Sequence, residues 1–541
     1  MSLRIDRRRL IQALGAAASL PGLPTLARAD DAEGRSAQRV DVADLGLFRS
    51  VSDDDPDLLA KAKKNAALLT EAARELSRRG GGEIVFPRQE TFRVAASPYE
   101  GGQRGGFGWG QVAWALDDVH NVAIRGNGST LERCEAEATG AAGDPRNATV
   151  GVYRSSAILF ERLILKGKSR TEVQKYTTGN NWDISFASRD VTLRECEGGE
   201  GTNALAALGL NIDKPRHARG YAIDQPVSGI KIERCLAYNG EHGLLLNCCE
   251  DVEIDGFRHQ ARDHRFGGAL QEPFIQRGLF FLACRKVSAR NILLEGAHKT
   301  SIFFVVAAKS RAPFDLTDVR ISNFEIRSPG GLDDDGVRQD ENRYEAVVFH
   351  DQTGADLSLS RTASRIALVD GIIENSKTAV RFRDRKADAR AAPAYSDVRF
   401  RNVQARTLAR GVYATTFKPL GGASFENCGF SVFSDPSVGD AAPVAGFRVT
   451  RADRKSDVRH ADVRLQNVMV RAGAIASEFE GVDGLVLRDL DTGYVRDKAA
   501  SAKASFSPEA VDLRIVACRA AEAPRFTALN QKVEIRDSVI P

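Results

Sequence analysis

Apolar and polar residues alternate in short runs along most of the chain. In Ser228-Gly-Ile-Lys-Ile-Glu-Arg-Cys235 the alternation puts Ile230 and Ile232 on one side of an extended segment, with Lys231 and Glu233 opposite. That period of two predicts a strand with one buried face. The same pattern returns in Glu250-Asp-Val-Glu-Ile-Asp-Gly-Phe257, where Ile230 becomes Val252, Ile232 becomes Ile254 and Cys235 becomes Phe257. A strand pattern that recurs after about twenty residues predicts stacked coils, none of which can bury its apolar face alone. The template begins again at Val122, Ile158, Val191, Val287, Val319, Val398, Ala423, Val463, Leu485, Leu513 and Val533, with a further coil expected near Ile366. The fold class is therefore all-β, a solenoid of parallel strands.

A second element repeats between these strands. Glu241-His242-Gly243-Leu-Leu-Leu matches Gln276-Arg277-Gly278-Leu-Phe-Phe and then Lys299-Thr300-Ser301-Ile-Phe-Phe. Stacking places the residues ahead of these strands in a column. Extended one way the column reaches Asn203, and extended the other way it reaches Tyr344/Glu345, with His350 at the far end of that strand.

The start of the chain reads differently. Arg7-Arg8-Arg9-Leu10-Ile11, an Ala- and Leu-rich run and Ala27-Arg28-Ala29 predict a signal peptide over residues 1–29, and the Arg pair resembles a twin-arginine signal. A flexible lead over 30–44 is expected to follow. An exported protein, periplasmic or secreted from a bacterium, is the corresponding expectation. Asp53-Asp-Asp-Pro56 then opens an amphipathic helix over about 54–79, stopped by Gly80-Gly81-Gly82 and followed by Glu83-Ile-Val-Phe-Pro87. A helix in this place would cover the open edge of a solenoid.

The Asp-rich turn, the helix and the Gly-Gly-Gly-x-Ile-Val-Phe-Pro run together resemble the N-terminus of the pectate lyase superfamily, the right-handed parallel β-helix proteins. The resemblance covers residues 45–541 and implies that fold, with the helix as an N-terminal cap. After Pro87 the chain has Arg-Gln-Glu-Thr-Phe92 where the family usually has Gly and Tyr. The superfamily spans lyases, hydrolases, epimerases and non-catalytic proteins, so chemistry has to come from the site. Within it, Arg or Lys commonly serves as the base and some members use bound calcium. Calcium is possible here, although no unmistakable acidic calcium cluster stands out.

The column suits β-elimination on an acidic, uronic-acid-containing polysaccharide. Arg277 fits the group that neutralises the carboxylate beside the scissile bond. His242 or Lys299 would take the proton, and Tyr344 or His242 would protonate the leaving oxygen. Glycoside hydrolysis needs two carboxylates instead. Glu241-His242-Gly243-Leu244 resembles the Gly-His-Gly-Ile segment of polygalacturonase-like hydrolases, but the preceding coil has Gly198-Gly-Glu-Gly-Thr-Asn203 where those have an Asp pair, leaving Glu200 with Glu241. A non-catalytic glycan-binding or assembly protein is the third reading.

Insertions concentrate between residues 198 and 360, within a loop-rich half running from about 97 to 360. Loops on a rigid scaffold are where function usually sits. In Phe257-Arg-His-Gln-Ala-Arg-Asp-His-Arg265, residues Arg262, His264 and Arg265 are candidates to reach over the groove. Lys214-Pro-Arg-His-Ala-Arg219, ending in Tyr221, is a similar basic wall. The Gly-rich stretch 97–114, with Trp109 and Trp114, is either a connector or a sugar-stacking lip. From 361 to 541 the coils look simpler, and Arg381, Arg383 and Arg399 read as a solvated structural face.

Composition narrows the rest. With 541 residues, 43% of them hydrophobic, and a net charge of only +4, the chain has material for a large core and no electrostatic footprint for nucleic acid. No later apolar run approaches the ~20 residues of a membrane span. A monomer is expected. Cys134, Cys196, Cys235, Cys428 and Cys518 all occupy one template slot, which elsewhere holds Phe257, Ile292 or Val403. Cysteine thus serves as a small apolar core residue rather than as a disulfide framework.

Overall fold

A computed structural model describes residues 38–98, 111–134, 147–167, 180–209, 226–261, 276–307, 315–328, 344–352, 362–384, 393–432, 445–452, 459–494, 511–525 and 533–540, apart from positions 50, 53, 96, 202, 297 and 473–474. Its strands are parallel throughout, except for one short antiparallel pair, and stack coil upon coil as a right-handed parallel β-helix. Three ladders result. Sheet A runs through His120–Arg125, Ser156–Glu161, Arg189–Arg194, Val227–Glu233 and Cys249–Asp255. Sheet B runs through Thr130–Arg133, Ile164–Lys166, Glu197–Gly199, Leu236–Tyr238 and Arg258–Ala261. Sheet C runs through Asn180–Ser185, Asn203–Leu208, His242–Leu246, Arg277–Phe281, Thr300–Ala307 and Glu345–Gln352. Further along, Cys284–Gly296 serves A and B in one strand, and Ala363–Arg383 and Tyr395–Thr416 serve all three. The register matches the sequence template: Ile230 faces Val252, Ile232 faces Ile254, and Ile366 sits between Val319 and Val398.

The corners explain why the coils stack so regularly. Leading into sheet A, one residue per coil has positive φ, as at Asp190, Gly229, Asp251 and Asp318. A second such position joins A to B, at Gly256, Asn291, Asn323, Asp370, Asn402, Asn427 and Asn467. Asn and Asp tolerate this left-handed region better than other residues with a side chain. Their side chains then link coil to coil, Asn402 donating to Asp370 at 2.7 Å and Asn467 to Asn427 at 2.9 Å.

Inside, in-register stacking turns like residues into columns. Phe281, Phe304, Phe349 and Phe382 stack face to face with centroids 4.8, 4.8 and 4.6 Å apart, the spacing of adjacent strands. Removing one such ring costs about 3–5 kcal/mol. The cysteines behave as read from the sequence: all eight are buried and free. Burial pushes the thiols of Cys248 and Cys428 up to about 12 and about 11.

Helix α1 (Leu58–Arg78) caps the first coils, burying Ala62, Ala66, Leu69, Ala73 and Leu76. Gly82 is required where it stops, because a Cβ there would lie 2.3 Å from the Gln38 carbonyl oxygen. The structure moves the start of the β-helix ahead of residue 45. Arg39–Asp41 pairs with Gly82–Val85, and Val42 is fully buried, so the second half of the expected lead belongs to the fold. Trp114 is fully buried between Phe86 and Phe160, which rules it out as a sugar-stacking lip. Trp109 and the signal segment 1–29 lie outside the described residues. Among the described residues no helix is long and apolar enough to cross a membrane.

Candidate functional site

Sheet C begins at a corner that admits only small side chains. Gly243, Gly278, Ser301, Ala346, Ala379, Gly411, Gly446 and Ala476 follow one another in register there. A Cβ on Gly243 would lie 2.8 Å from the His259 ring, and one on Gly278 would lie 2.8 Å from Leu294. These positions therefore point inward, and the residue before each is turned to the outer face. That column reads Asn203, His242, Arg277, Thr300, Glu345, Thr378 and Arg410. Asn203 donates to Asn180 on the coil above at 2.5 Å. Lys299 and Tyr344, expected beside Arg277, stand one step earlier in register, with Glu241 and Gln276. Glu241 and Lys299 are half-buried there, whereas Gln276 and Tyr344 are buried.

Arg277 is the centre of the arrangement. Its Nη1 lies 3.0 Å from His242 Nε2 and 3.3 Å from Glu241 Oε1. Its guanidinium sits over the Phe303 and Phe280 rings at 5.2 and 5.6 Å. The His242 ring stacks on Phe280 at 4.9 Å and is almost fully buried. A guanidinium can only donate, so Nε2 is the acceptor here, and His242 is the neutral tautomer protonated at Nδ1.

Glu345 organises the other side. Its side chain is 2% exposed and ion-paired to Arg381, with Arg383 at 3.9 Å. Arg383 in turn lies 5.7 Å from the Phe303 ring. Burial lowers the Arg383 guanidinium from its ordinary value; Glu345 opposes this, while Arg381 and Arg277 add to it. Three guanidinium groups thus share one neighbourhood around one buried carboxylate. His350 completes the rim, its ring 6.0 Å from Phe303. Arg381 and Arg383 were expected to belong to a plain structural face. The register instead sets Arg381 beside Val348 and Arg383 beside His350, on the outer face of sheet C. The signal was present in Val380-Arg-Phe-Arg383, whose alternation matches that of Val347-Val-Phe-His350.

Around the charged groups the outer face of sheet C is apolar. Ala207, Leu245, Leu282, Phe303, Val305 and Val348 form a buried cluster there, separate from the main core, with Phe280 packed against it. A half-exposed guanidinium framed by aromatic rings and by further cations is suited to holding a carboxylate bidentately. Arg219, Tyr221, Arg262, His264 and Arg265 lie outside the described residues; 210–225 follows one strand of sheet C and 262–275 precedes another. Connections of this kind (385–392, 433–444, 453–458) also occur beyond residue 360, so the second half of the chain is not free of insertions. Among the described residues no group of three or more His, Cys, Asp or Glu side chains is placed to hold a metal ion.

Comparison with protein-family models and with curated proteins gives no match. Among solved structures the chain is similar to a mutant tailspike protein of E. coli bacteriophage HK620 in complex with a pentasaccharide, at 11% identity and a TM-score of 0.57. A double mutant of the same tailspike, also with a pentasaccharide, matches at 12% identity and a TM-score of 0.53. Each match covers 92% of this chain and 78% of the tailspike. Likeness at this level of identity speaks to architecture alone, and the architecture it supports is the right-handed parallel β-helix.

Proposed function

We propose that the protein is a polysaccharide lyase that cleaves an acidic, uronic-acid-containing polymer by β-elimination on the outer face of sheet C. The observation that carries this reading is the 3.0 Å contact between Arg277 and His242 Nε2. A substrate carboxylate engaging Arg277 competes for the donor that occupies Nε2, so binding at the cation would free the base beside it. His242 then takes the C5 proton. The C5–H electrons form the C4–C5 double bond, the C4–O bond breaks, and the half-exposed ammonium of Lys299 protonates the leaving oxygen. Arg381 and Arg383 would hold the carboxylate of a neighbouring sugar or offset the charge that develops.

Hydrolysis fits these residues less well. Glu345 is buried and already held by two arginines, and Glu241 is engaged by Arg277, which among the described residues leaves no free pair of carboxylates around Phe280 and Phe303. Glycan binding without cleavage is the second reading, favoured by the saccharide complexes of the tailspikes. The test is a panel of polygalacturonate, alginate and hyaluronan, with and without a chelator. Ultraviolet absorbance from the unsaturated product supports the lyase. Reducing ends without absorbance would indicate a hydrolase, and binding with neither signal would indicate a module. Export through the twin-arginine route belongs to the proposal, and replacing Arg7 and Arg8 with Lys should trap the protein in the cytoplasm.

A further inference from the structure

Further along the same outer face, a second group of side chains has a form that the Arg277 site does not use. Arg410 stands at the same corner position as His242 and Arg277, and its guanidinium lies 4.7 Å from the Tyr413 ring. Tyr413 follows Arg381 in register and precedes Arg448. Arg448 is clamped by Glu478, which accepts from its Nε at 2.6 Å, and Glu478 is itself buried and also faces Arg514 at 3.5 Å. Beside them Thr415 and Thr450 share a hydroxyl hydrogen bond of 3.0 Å. Arg410, Tyr413, Thr415 and Arg448 are all half-buried, so each has one side on the protein and one toward solvent.

The arrangement repeats the logic of Glu345 with Arg381 and Arg383. A buried carboxylate lies between two arginines, neutralises one of them and fixes both in orientation. Arg514 is held in turn by Glu534 at 2.8 Å, so what faces outward is the pair Arg410 and Arg448 on either side of the Tyr413 ring. Tyr413 adds a flat ring and a hydroxyl between two cations. Burial pushes its phenol up, but a Thr415 hydrogen bond, the charges of Arg410 and Arg448 and a hydrogen bond with Arg448 outweigh that and hold it below its ordinary value. A phenol stabilised in this way is a strong donor toward an anion.

We propose that Arg410, Tyr413 and Arg448 form a second subsite for a sugar carboxylate of the same acidic polymer, further along sheet C from the Arg277 site. The proposal rests on the lyase reading for the identity of the polymer, but its geometry is independent of the cleavage chemistry. Strands in register advance by about 4.8 Å per coil, so the column positions of Arg277 and Arg410, four coils apart, are separated by roughly 19 Å. Only a chain several sugars long can engage both. The subsite should therefore act on long substrates and be invisible to short ones.

The experiment uses the full-length protein and graded-length oligomers of polygalacturonate, alginate and hyaluronan, with Arg410→Ala, Tyr413→Phe and the control Arg399→Ala. Losing a charge-assisted hydrogen bond costs roughly tenfold or more in affinity. Arg410→Ala should raise KM at least tenfold on long oligomers, leaving kcat, the short oligomers and the melting temperature unchanged. Arg410→Lys should restore part of the loss, and Arg399→Ala should change nothing. If the wild type binds a polymer without cleaving it, Kd replaces KM: a length-dependent loss of binding then upholds the subsite while the lyase reading fails. Equal losses on short and long oligomers, no loss on any, or no binding by the wild type to the whole panel would overturn the subsite.

Discussion

Sheets A and C are built from the same coils, yet their outer faces have little in common. Sheet A alternates cleanly: in Cys249–Asp255 apolar residues face inward and charged ones face water. Its outer surface carries ion-pair rows such as Glu161–Arg194–Glu233, with Arg194 Nε 2.7 Å from Glu233. In sheet C the strand His242–Leu246 is buried along its whole length, and the cations around it are packed against aromatic rings. The difference lies in the connections. Sheet A is left toward B through single residues of positive φ, whereas strands of sheet C are flanked in sequence on both sides by longer stretches, 262–275 and 329–343 before them and 210–225 and 353–361 after them. Lengthening a loop costs little once the coil itself is closed. Chain length between the strands of sheet C can therefore vary without loss of stacking, and the proposed binding face is the one so flanked.

The largest expected effect is on acidification, and it should arise in the interior rather than on either outer face. His259 and His298 meet at 2.6 Å in the interior, directly behind Gly243. The Nδ1 of His460 accepts the Leu420 N–H at 3.2 Å. Burial holds His259 and His460 down to about 4, and His298 well below its ordinary value. These rings are neutral in the folded state but take up protons at about 6.5 when unfolded. Their contribution is thus fully present above about pH 6.5 and is lost as the pH falls toward 4. Each histidine costs about 1.4 kcal/mol per pH unit across that window. Urea midpoints measured between pH 7 and pH 5 should fall steeply. A flat profile would mean that the three rings are not buried in the neutral form.

Next in size is Glu345→Ala. Removing a buried carboxylate strands Arg381 and Arg383 beside Phe303, at a cost of roughly 3 kcal/mol. Denaturant titration measures it directly. A loss as small as that of a surface pair would erase the contrast between the faces.

How much of this was legible in the sequence follows from the same contrast. Strand register was readable because period-2 alternation and in-register stacking leave only one solution, as the Ile230, Val252 and Val287 column shows. His242 and Arg277 were readable because each precedes a glycine that the corner requires. Lys299 and Tyr344 were read in their true register, paired with Thr300 and Glu345, but which member of each pair faces outward was not marked, because Ser301 and Ala346 fill that corner without being glycine. Arg381 and Arg383 were missed for another reason. A solvated ladder and one whose cations are held by a buried carboxylate have the same alternation, and the partner that tells them apart, Glu345, lies on the neighbouring coil.

Arg277→Ala should separate function from fold. Loss of an electrostatic group that acts in the transition state typically lowers turnover by about a hundredfold or more. The side chain is half-buried at the rim of the cluster, so the melting temperature should hardly move. Lyase assays on the cleaved polymer, run beside Arg399→Ala, provide the measurement. Unfolding of the Arg277→Ala protein would make the column a structural ladder rather than a site.

The smallest effect should come from Arg194→Ala on sheet A. Arg194 bridges Glu161 and Glu233 in the way Arg381 and Arg383 bracket Glu345, so a count of ion pairs would rank the two alike. Burial separates them. The Arg194 and Glu233 side chains are 37% and 29% exposed, against 2% for Glu345. Water and salt therefore replace most of what the guanidinium provides, and exposed pairs of this kind contribute about 0.5 kcal/mol. That small loss should shrink further in high salt, because the Debye length falls to about 3 Å at 1 M. The loss from Glu345→Ala should persist in the same buffer, because the groups it leaves unpaired lie where mobile ions do not reach. Parallel titrations of both variants at low and high salt would decide the matter, and equal salt sensitivity would show that the two faces are solvated alike.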